Sequence, residues 1–390
     1  MMWEMIILGN IAEFKNGLNF NKDQYGQGVK YISVADFKDY FSVKVEGLAE
    51  LKEDFINQSY LLKEGDILFV RSNGNKELVG RNLFIEKIIE PLTFSGFCIR
   101  ARFTTNDVLP RFYAYLFKSK FFRNTLSASA GGTNINNLNQ SLLSNLEIPI
   151  PPLTTQRRIA SILSAYDDLI ENNLKRIKLL EEKAFASYKL IVKSEKLIEG
   201  CVGDLAEVKS GYAFKGADWT DVGFPVIKIK NIGNNDIDLD DCSLIPENIA
   251  EAAVKFKLNA GDLLIAMTGA TVGKIGMMPK METSFYLNQR VGIFKPKVEN
   301  AELFLFCFYN EPSAKDAVES LASGAAQPNI SGGQLESIKL FYPKLETVTE
   351  FGNSIKSQFE LIWNLKQQNA KLREARDILL PKLMNGQIEV

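Results

Sequence analysis

The stretch Pro149 to Val192, PIPPLTTQRRIASILSAYDDLIENNLKRIKLLEEKAFASYKLIV, decides the fold. Pro149, Pro151 and Pro152 hold the chain extended, because each fixes its own φ and pushes the preceding residue out of the helical region. Thr154 or Thr155 can then cap a helix that meets no Gly or Pro until about Lys193. Roughly 37 residues at 1.5 Å each make a rod of about 55 Å, long for a helix in an ordinary globular domain. Apolar residues recur at Ile159, Leu163, Tyr166, Ile170, Ile177, Leu180, Ala184 and Ile191. Steps of three and four place them on one narrow seam that faces a partner helix. Asn173 interrupts that seam as a register-setting polar residue would.

The other end of the chain carries a twin. Shifted by 192 residues, Leu345 to Met384 falls on the same seam through Phe351, Ile355, Ile362, Leu365, Leu372, Leu379 and Leu383, with Gln358, Asn369 and Arg376 as polar members. The lead-in repeats as well: Leu146 to Leu153 aligns with Ile338 to Leu345. Two such seams in one chain can cover each other. The repeat extends beyond the helices, since Leu8–Phe20 (LGNIAEFKNGLNF) matches Val202–Phe214 (VGDLAEVKSGYAF) without a gap. Gly65-Asp66-Ile67-Leu68-Phe69 matches Gly261-Asp262-Leu263-Leu264-Ile265, and Val79-Gly80-Arg81 matches Val272-Gly273-Lys274. An internal repeat at a near-constant offset fixes the organisation before any finer reading. The chain reads as domain, rod, domain, rod, with boundaries at 1–153, 154–197, 198–345 and 346–390.

Composition sets outer limits. The 390 residues carry 46 basic and 47 acidic side chains and no histidine. No apolar run approaches the ~18 residues of a membrane span. The start Met1 to Leu8 has no basic segment, so no signal peptide is expected, and a cytoplasmic protein is. Cys98, Cys201, Cys242 and Cys307 are scattered, which suits buried reduced thiols better than disulfides or zinc. Near-neutral charge argues against a nonspecific polybasic DNA binder; any nucleic acid must be held by local patches or with the help of partners.

Within the first domain, Val29 to Phe37 and Asp66 to Arg71 alternate like strands, and Arg111 to Asn124 suits a helix. Arg100 and Arg102 sit two apart, so a strand places both on one face. Ser127 to Asn139 reads as a polar loop. In the second domain, Ile227-Lys228-Ile229-Lys230-Asn231 predicts a strand with two lysines on one face. Asp236, Asp238, Asp240 and Asp241 form an acidic loop that lacks the Gly and terminal Glu of a calcium loop, so no metal is expected. Ala322 to Gly333 corresponds to the loop at Ser127–Asn139.

Catalytic signals are sparse. Without histidine, Ser-His and Cys-His nucleophile schemes are excluded. Thr268 to Ile275 falls one residue short of a phosphate loop, with Ile275 where Ser or Thr is required. Glu13-Phe14-Lys15 and Glu207-Val208-Lys209 lack the paired acidic residue of a nuclease and read as solvated faces. What remains is recognition chemistry, because proteins read base edges with Arg, Lys, Asn, Gln, Ser and Thr. The first domain offers Lys15, Arg71, Asn73, Lys76, Arg81, Arg100, Arg102, Thr133, Asn134 and Asn136 as DNA contacts. The second offers Lys209, Lys228, Lys230, Thr268, Thr271, Lys274, Gln289, Arg290, Gln327 and Asn329.

The pairs Gly65-Asp66-Ile67-Leu68 and Gly261-Asp262-Leu263-Leu264, with Thr268-Gly269-Ala270-Thr271-Val272-Gly273-Lys274, form a recognisable set. Ile148 to Leu153 with Gln156, and the ending Leu379 to Gly386, complete it. On these residues the chain resembles the specificity subunit of type I restriction–modification systems over essentially its whole length. Two departures stand out: Arg71-Ser72-Asn73-Gly74-Asn75 replaces the TGAT form in the first domain, and Val348 replaces Gln156 in the second rod. The resemblance implies an α+β fold, with two mixed α/β target-recognition domains separated by two long antiparallel helices. Each domain would read one half of a split site in double-stranded DNA. The helices would set the spacing and dock two adenine methyltransferase subunits, which bind S-adenosylmethionine, so this chain would hold no cofactor and no catalytic residue. An ATP-dependent restriction subunit can join such a complex. The residues alone leave two other readings open, a DNA-modifying enzyme with unfamiliar motifs and a scaffold that joins two proteins without touching DNA.

Overall fold

The computed structural model describes residues 3–37, 41–72, 78–129, 137–233, 235–322 and 329–390. It divides into two compact units, Met1–Glu171 with Asn369–Val390, and Asn172–Gln368. Both long helices run on from one unit into the other. Among the described residues no helix is long and apolar enough to cross a membrane.

The first unit opens with β1 (Met5–Ile7), β2 (Ala12–Asn16), β3 (Gly28–Ile32) and β4 (Glu50–Lys52). Then come β5 (Ile67–Val70), β6 (Asn82–Phe84), β7 (Leu92–Phe94) and β8 (Cys98–Phe103). Three helices follow, α1 (Pro110–Leu116), α2 (Lys120–Ser129) and α3 (Gln140–Ser144), then β9 (Glu147–Pro149) and the long α4 (Leu153–Ser194). The main sheet has the antiparallel order β2-β8-β5-β6. Its strand β5, paired on both edges, is buried along its whole length, which is why ILFV reads as an unbroken apolar run. A smaller sheet, β4-β3-β7, pairs β3 with β7 in parallel, and β1 pairs with β9 beside the start of α4.

The second unit repeats this plan. It holds β10 (Ile198–Cys201), α5 (Val202–Leu205), β11 (Ala206–Ser210), β12 (Phe224–Ile227), β13 (Ser243–Ile245) and α6 (Glu247–Ala252). These are followed by β14 (Leu263–Ala266), β15 (Ile275–Met277), β16 (Tyr286–Leu287), β17 (Val291–Pro296), α7 (Ala301–Phe308) and α8 (Pro312–Ala322). After α9 (Gly332–Glu336) and β18 (Lys339–Tyr342), α10 (Leu345–Met384) ends the order. The sheets are β11-β17-β14-β15, β13-β12-β16 and β10-β18, each the counterpart of a sheet in the first unit. The offset of 192 to 196 thus preserves strand pairing as well as sequence.

Inside each unit the two long helices run antiparallel. In the first, Ile159, Leu163 and Ile170 of α4 are buried, as are Asn369 and Leu383 of α10; Tyr166, Leu372 and Leu379 are half-buried. Asn369 Nδ2 donates to the Ile170 carbonyl at 3.4 Å. Asp167 receives Tyr115 Oη at 2.6 Å and Arg376 Nη1 at 2.5 Å. In the second unit Asn173, Ile177, Ala184, Phe351, Ile355, Ile362 and Leu365 are buried, and Leu180 and Ile191 are half-buried. Tyr188 and Phe359 are buried too and were not in the predicted seam. Gln156 and its counterpart Val348 are both fully buried. Gln156 accepts from the Leu109 N–H and donates to the carbonyls of Asp107 and Pro151, so the polar side chain is satisfied where Val348 needs nothing.

Several local expectations are corrected. Ile227 to Asn231 is not one strand: β12 stops at Ile227, and Ile229–Asn231 is a 3₁₀ turn. Asn231 Oδ1 accepts the Lys228 N–H, and its Nδ2 donates to the carbonyls of Asp238 and Asp241. A buried Asn that ties down the acidic loop overrides the alternation. Likewise Val34–Asp36 is a 3₁₀ turn after β3, closed by Asp36 on the Ser33 N–H. The helical stretch at Arg111–Asn124 breaks between Leu116 and Lys120, where Ser119 Oγ donates to the Leu116 carbonyl. Ser127 and Ala128, expected in a loop, continue α2, and Ala322 ends α8.

Glu302, in the first turn of α7, has a buried Oε2 with no partner. Burial raises its pKa above the usual 4.5, with Lys356 opposing and Asp262 and Glu299 adding to the rise. The folded state therefore holds the proton more tightly than the unfolded one. Its contribution is full below the ordinary carboxylate range and is lost as pH rises through the raised value. Glu302→Gln should thus give a higher Tm than the parent at pH 7, with the gap closing below about pH 4. Melting curves from pH 3.5 to 8 check this, and a gap that widens on acidification would contradict it.

Candidate nucleic-acid interface

In each unit four chain segments meet at the head of the central strand of the main sheet. In the first unit the centre is the turn Ser95–Cys98, closed by the Cys98 N–H on the Ser95 carbonyl at 2.9 Å. In the second it is Asn288–Val291, closed by Val291 on Asn288 at 2.9 Å. The end of the first main-sheet strand grips the turn from one side: Gly96 N–H donates to Leu18 O at 2.7 Å, and Gln289 N–H to Tyr212 O at 2.9 Å. The end of the third strand grips it from the other: Arg71 N–H donates to Phe97 O at 2.8 Å, and Met267 N–H to Arg290 O at 3.0 Å. The fourth segment docks on that strand end, through Leu138 N–H to Arg71 O at 2.8 Å and Ile330 N–H to Met267 O at 2.9 Å. Gly17 and Gly211 permit this approach, because a Cβ on either would lie 2.2 Å from a carbonyl oxygen of the facing chain.

This convergence gathers Arg71 in the first unit, and Thr268, Gln289, Arg290 and Asn329 in the second. Arg71 is half-buried and its Nη1 donates to the Gly96 carbonyl at 3.3 Å. Gln289, Arg290 and Asn329 are exposed, and Asn329 bridges Thr268. Thr271 Oγ1 leans toward the Ile229 carbonyl at 3.5 Å. Arg81 and Lys274 are exposed, each just past a glycine, Gly80 or Gly273, held at φ +81°. Asn73, Lys76, Thr133, Asn134, Asn136 and Gln327 lie outside the described residues.

The remaining candidates lie elsewhere. Arg100 and Arg102 do share a strand face, but the protein itself uses both. Arg100 is 5 % exposed and donates to the Ser59 carbonyl. Burial lowers its pKa, with Arg102 adding to the fall. Arg102 forks onto Asp66 through Nε and Nη2, both at 2.7 Å. The repeat confirms a framework role for Arg102, since its counterpart Lys295 makes the same ion pair with Asp262 at 3.3 Å. The counterpart of Arg100 is Ile293, buried and apolar. Lys15 donates to Ser59 Oγ at 2.7 Å and lies 3.8 Å over the Tyr60 ring. Its pKa is lowered by desolvation, then by Arg100 and Arg102. Lys209 pairs with Glu207 on an exposed strand face. Lys228 reaches Ser243 Oγ at 2.8 Å and the Trp219 ring at 3.3 Å, and Lys230 pairs with Asp241. Among the described residues no cluster of three or more His, Cys, Asp or Glu could hold a metal ion.

The model of the type I restriction–modification DNA specificity domain matches the chain twice, over residues 2–182 and 195–373. The chain belongs to that family. Its role is that of a DNA-specificity subunit. The MjaVIII specificity subunit of Methanocaldococcus jannaschii is 26 % identical over 100 % of this chain and 93 % of its own length. The EcoKI specificity subunit of Escherichia coli K12 is 23 % identical, covering 98 % and 87 %. The crystal structure of a type I S subunit from M. genitalium superposes with a TM-score of 0.61 at 20 % identity, over 98 % of this chain and 96 % of that one, a likeness of fold.

Sequence reasoning missed Phe97, which is 61 % exposed at the turn. Carrying the repeat offset through Phe97–Phe103 and Arg290–Pro296 pairs it with Arg290, and that alignment was the available signal.

Replacing Arg102 with Ala leaves the Asp66 carboxylate, 1 % exposed, without its cation. We expect a loss of about 3 kcal/mol in folding stability. Lys274→Ala, at an exposed position, should change stability by no more than about 0.5 kcal/mol. Denaturant titration of the two variants checks the contrast; equal stabilities would return Arg102 to the list of free cations.

Proposed function

We propose that each unit reads one half of a split DNA site through the turn at the head of its central strand. The two long helices set the gap between the halves and dock two adenine methyltransferase subunits. Those partners supply S-adenosylmethionine and the methyl transfer, and this chain carries no catalytic residue. A complex of this kind works in the cytoplasm and can recruit an ATP-dependent restriction subunit. The observation that carries the reading is the duplication itself: one backbone scaffold, built twice on one chain, presents different side chains at the same turn. A reader of two different short sequences needs that combination. The absence of histidine supports placing the chemistry on the partner, because the commonest general base is missing.

Methyl transfer to DNA should need both this chain and the methyltransferase, and exchange of residues 1–153 for a relative's domain should change one half-site only. The helices give a metric test. Seven residues inserted after Asn172, with seven more after Gln368, keep the seam in phase and add about 10 Å. With DNA rising 3.4 Å per base pair, the gap between half-sites should grow by about three base pairs. Mapping of methylated adenines reads the gap. An active double insertion that keeps the original spacing would mean that the partners, and not the helices, position the domains.

A further inference from the structure

Phe97 and Arg290 occupy one position in two copies of a single scaffold. Each is the third residue of its turn, and each carbonyl accepts from the neighbouring strand end. The backbone there is held from both flanks, so neither side chain contributes to holding it. Phe97 stands 61 % exposed with no aromatic neighbour in ring contact among the described residues. Arg290 is exposed, and no hydrogen bond or ion pair of its guanidinium occurs among the described residues. A single exposed apolar residue is ordinary by itself. Here the same open, rigid position carries a large apolar group in one unit and an unspent cation in the other. The folding of either unit explains neither choice, whereas Arg102 and Lys295, two framework cations at another shared position, keep both charge and partner.

Resting on the reading that this turn faces DNA, we propose that Phe97 and Arg290 are specificity-determining residues of opposite chemistry. Both act in the major groove. Phe97 packs on the C5-methyl of a thymine, an apolar feature that only thymine presents there. Arg290 forks onto O6 and N7 of a guanine, the acceptor pair that fits a planar guanidinium. The half-site of the first unit therefore contains a thymine read through its methyl, and that of the second a guanine read through its acceptor pair.

The test uses the complex of this chain with its methyltransferase and duplexes that carry the mapped site. Domain exchange assigns each half-site to a unit. In the first unit's half-site, uracil in place of one thymine should weaken binding by about fourfold, the value of one methyl group, and should leave Phe97→Ala unaffected. In the other half-site, 7-deazaguanine in place of one guanine should weaken the parent by about tenfold or more and leave Arg290→Ala unaffected. Unchanged melting temperatures establish that the variants fold. A half-site without the named base, or a base analogue that weakens parent and variant alike, overturns the assignment. The broader reading fails by a different result: no preference for the mapped site over a scrambled duplex, or a domain exchange that leaves the motif unaltered.

Discussion

The carboxylate of the Gly-Asp pair ties two strands of the main sheet together in each unit. Asp66 accepts from the Lys63 N–H at 2.7 Å and from the Arg102 fork; Asp262 accepts from the Asn259 N–H at 2.7 Å and from Lys295. One acidic side chain therefore closes the turn into β5 or β14 and ties it to the neighbouring central strand. Asp66, 1 % exposed, is tolerated there only because it is hydrogen-bonded and paired, so its cation on the central strand matters most; the pair of Asp262 with Lys295 is more open to water. The glycine before it, at φ +88° in one unit and +89° in the other, gives the turn its left-handed backbone. The two strands joined by this tie run on to the turn that carries Phe97 or Arg290, where main-chain hydrogen bonds hold the backbone.

Where one physical rule governed a segment, the sequence was enough to read it. Long apolar periodicity with steps of three and four has one cheap solution, a helix seam, and α4 and α10 follow it. The repeat was legible for the same reason: Gly65-Asp66-Ile67-Leu68 and Gly261-Asp262-Leu263-Leu264 match in sequence, and both lead into a buried strand, β5 or β14. Legibility failed where a side chain with two possible duties took the less obvious one. Lys228 and Lys230 alternate as on a strand, yet Asn231 holds the backbone in a 3₁₀ turn by bonding across to the acidic loop. Arg100 and Arg102 looked like a basic face, and no local pattern announces that Asp66 and the Ser59 carbonyl take their hydrogen bonds first. Phe97 was invisible for the opposite reason: a lone Phe in a strand-like context is taken for core until the register of the turn shows it outside.

The candidate interface combines a rigid backbone with freely varied side chains. Four segments converge by main-chain hydrogen bonds, which do not depend on side-chain identity, and glycines at 17 and 211 leave room for the approach. Such a platform can change what it displays at little cost in stability. Side chains that serve the scaffold behave differently between the two copies. Asp66 and Asp262 are invariant, and Arg102 and Lys295 keep their charge, while Arg71 against Met267 and Phe97 against Arg290 share no chemistry. Constraint and variation thus separate within a few residues of each other along the same strand.

The long helices show the same separation in their seams. Asp167 and Arg376, joined in the first unit and bonded to Tyr115, correspond by the 192 offset to Phe359, Ala184 and Cys307 in the second. All three of those are buried in an apolar cluster. Charge therefore closes the helix contact in the first unit, and apolar packing closes it in the second. Burial works against the Arg376 charge, and Asp167, with Asp377, overcomes it and raises the pKa. Were each helix paired with a copy of itself, Asp167 would meet the equivalent of Ala184, and Arg376 the equivalent of Phe359. Either arrangement buries a charge without its counter-ion, at a cost of about 3 kcal/mol or more. The symmetric backbone permits like-with-like pairing, and the asymmetric charges reject it.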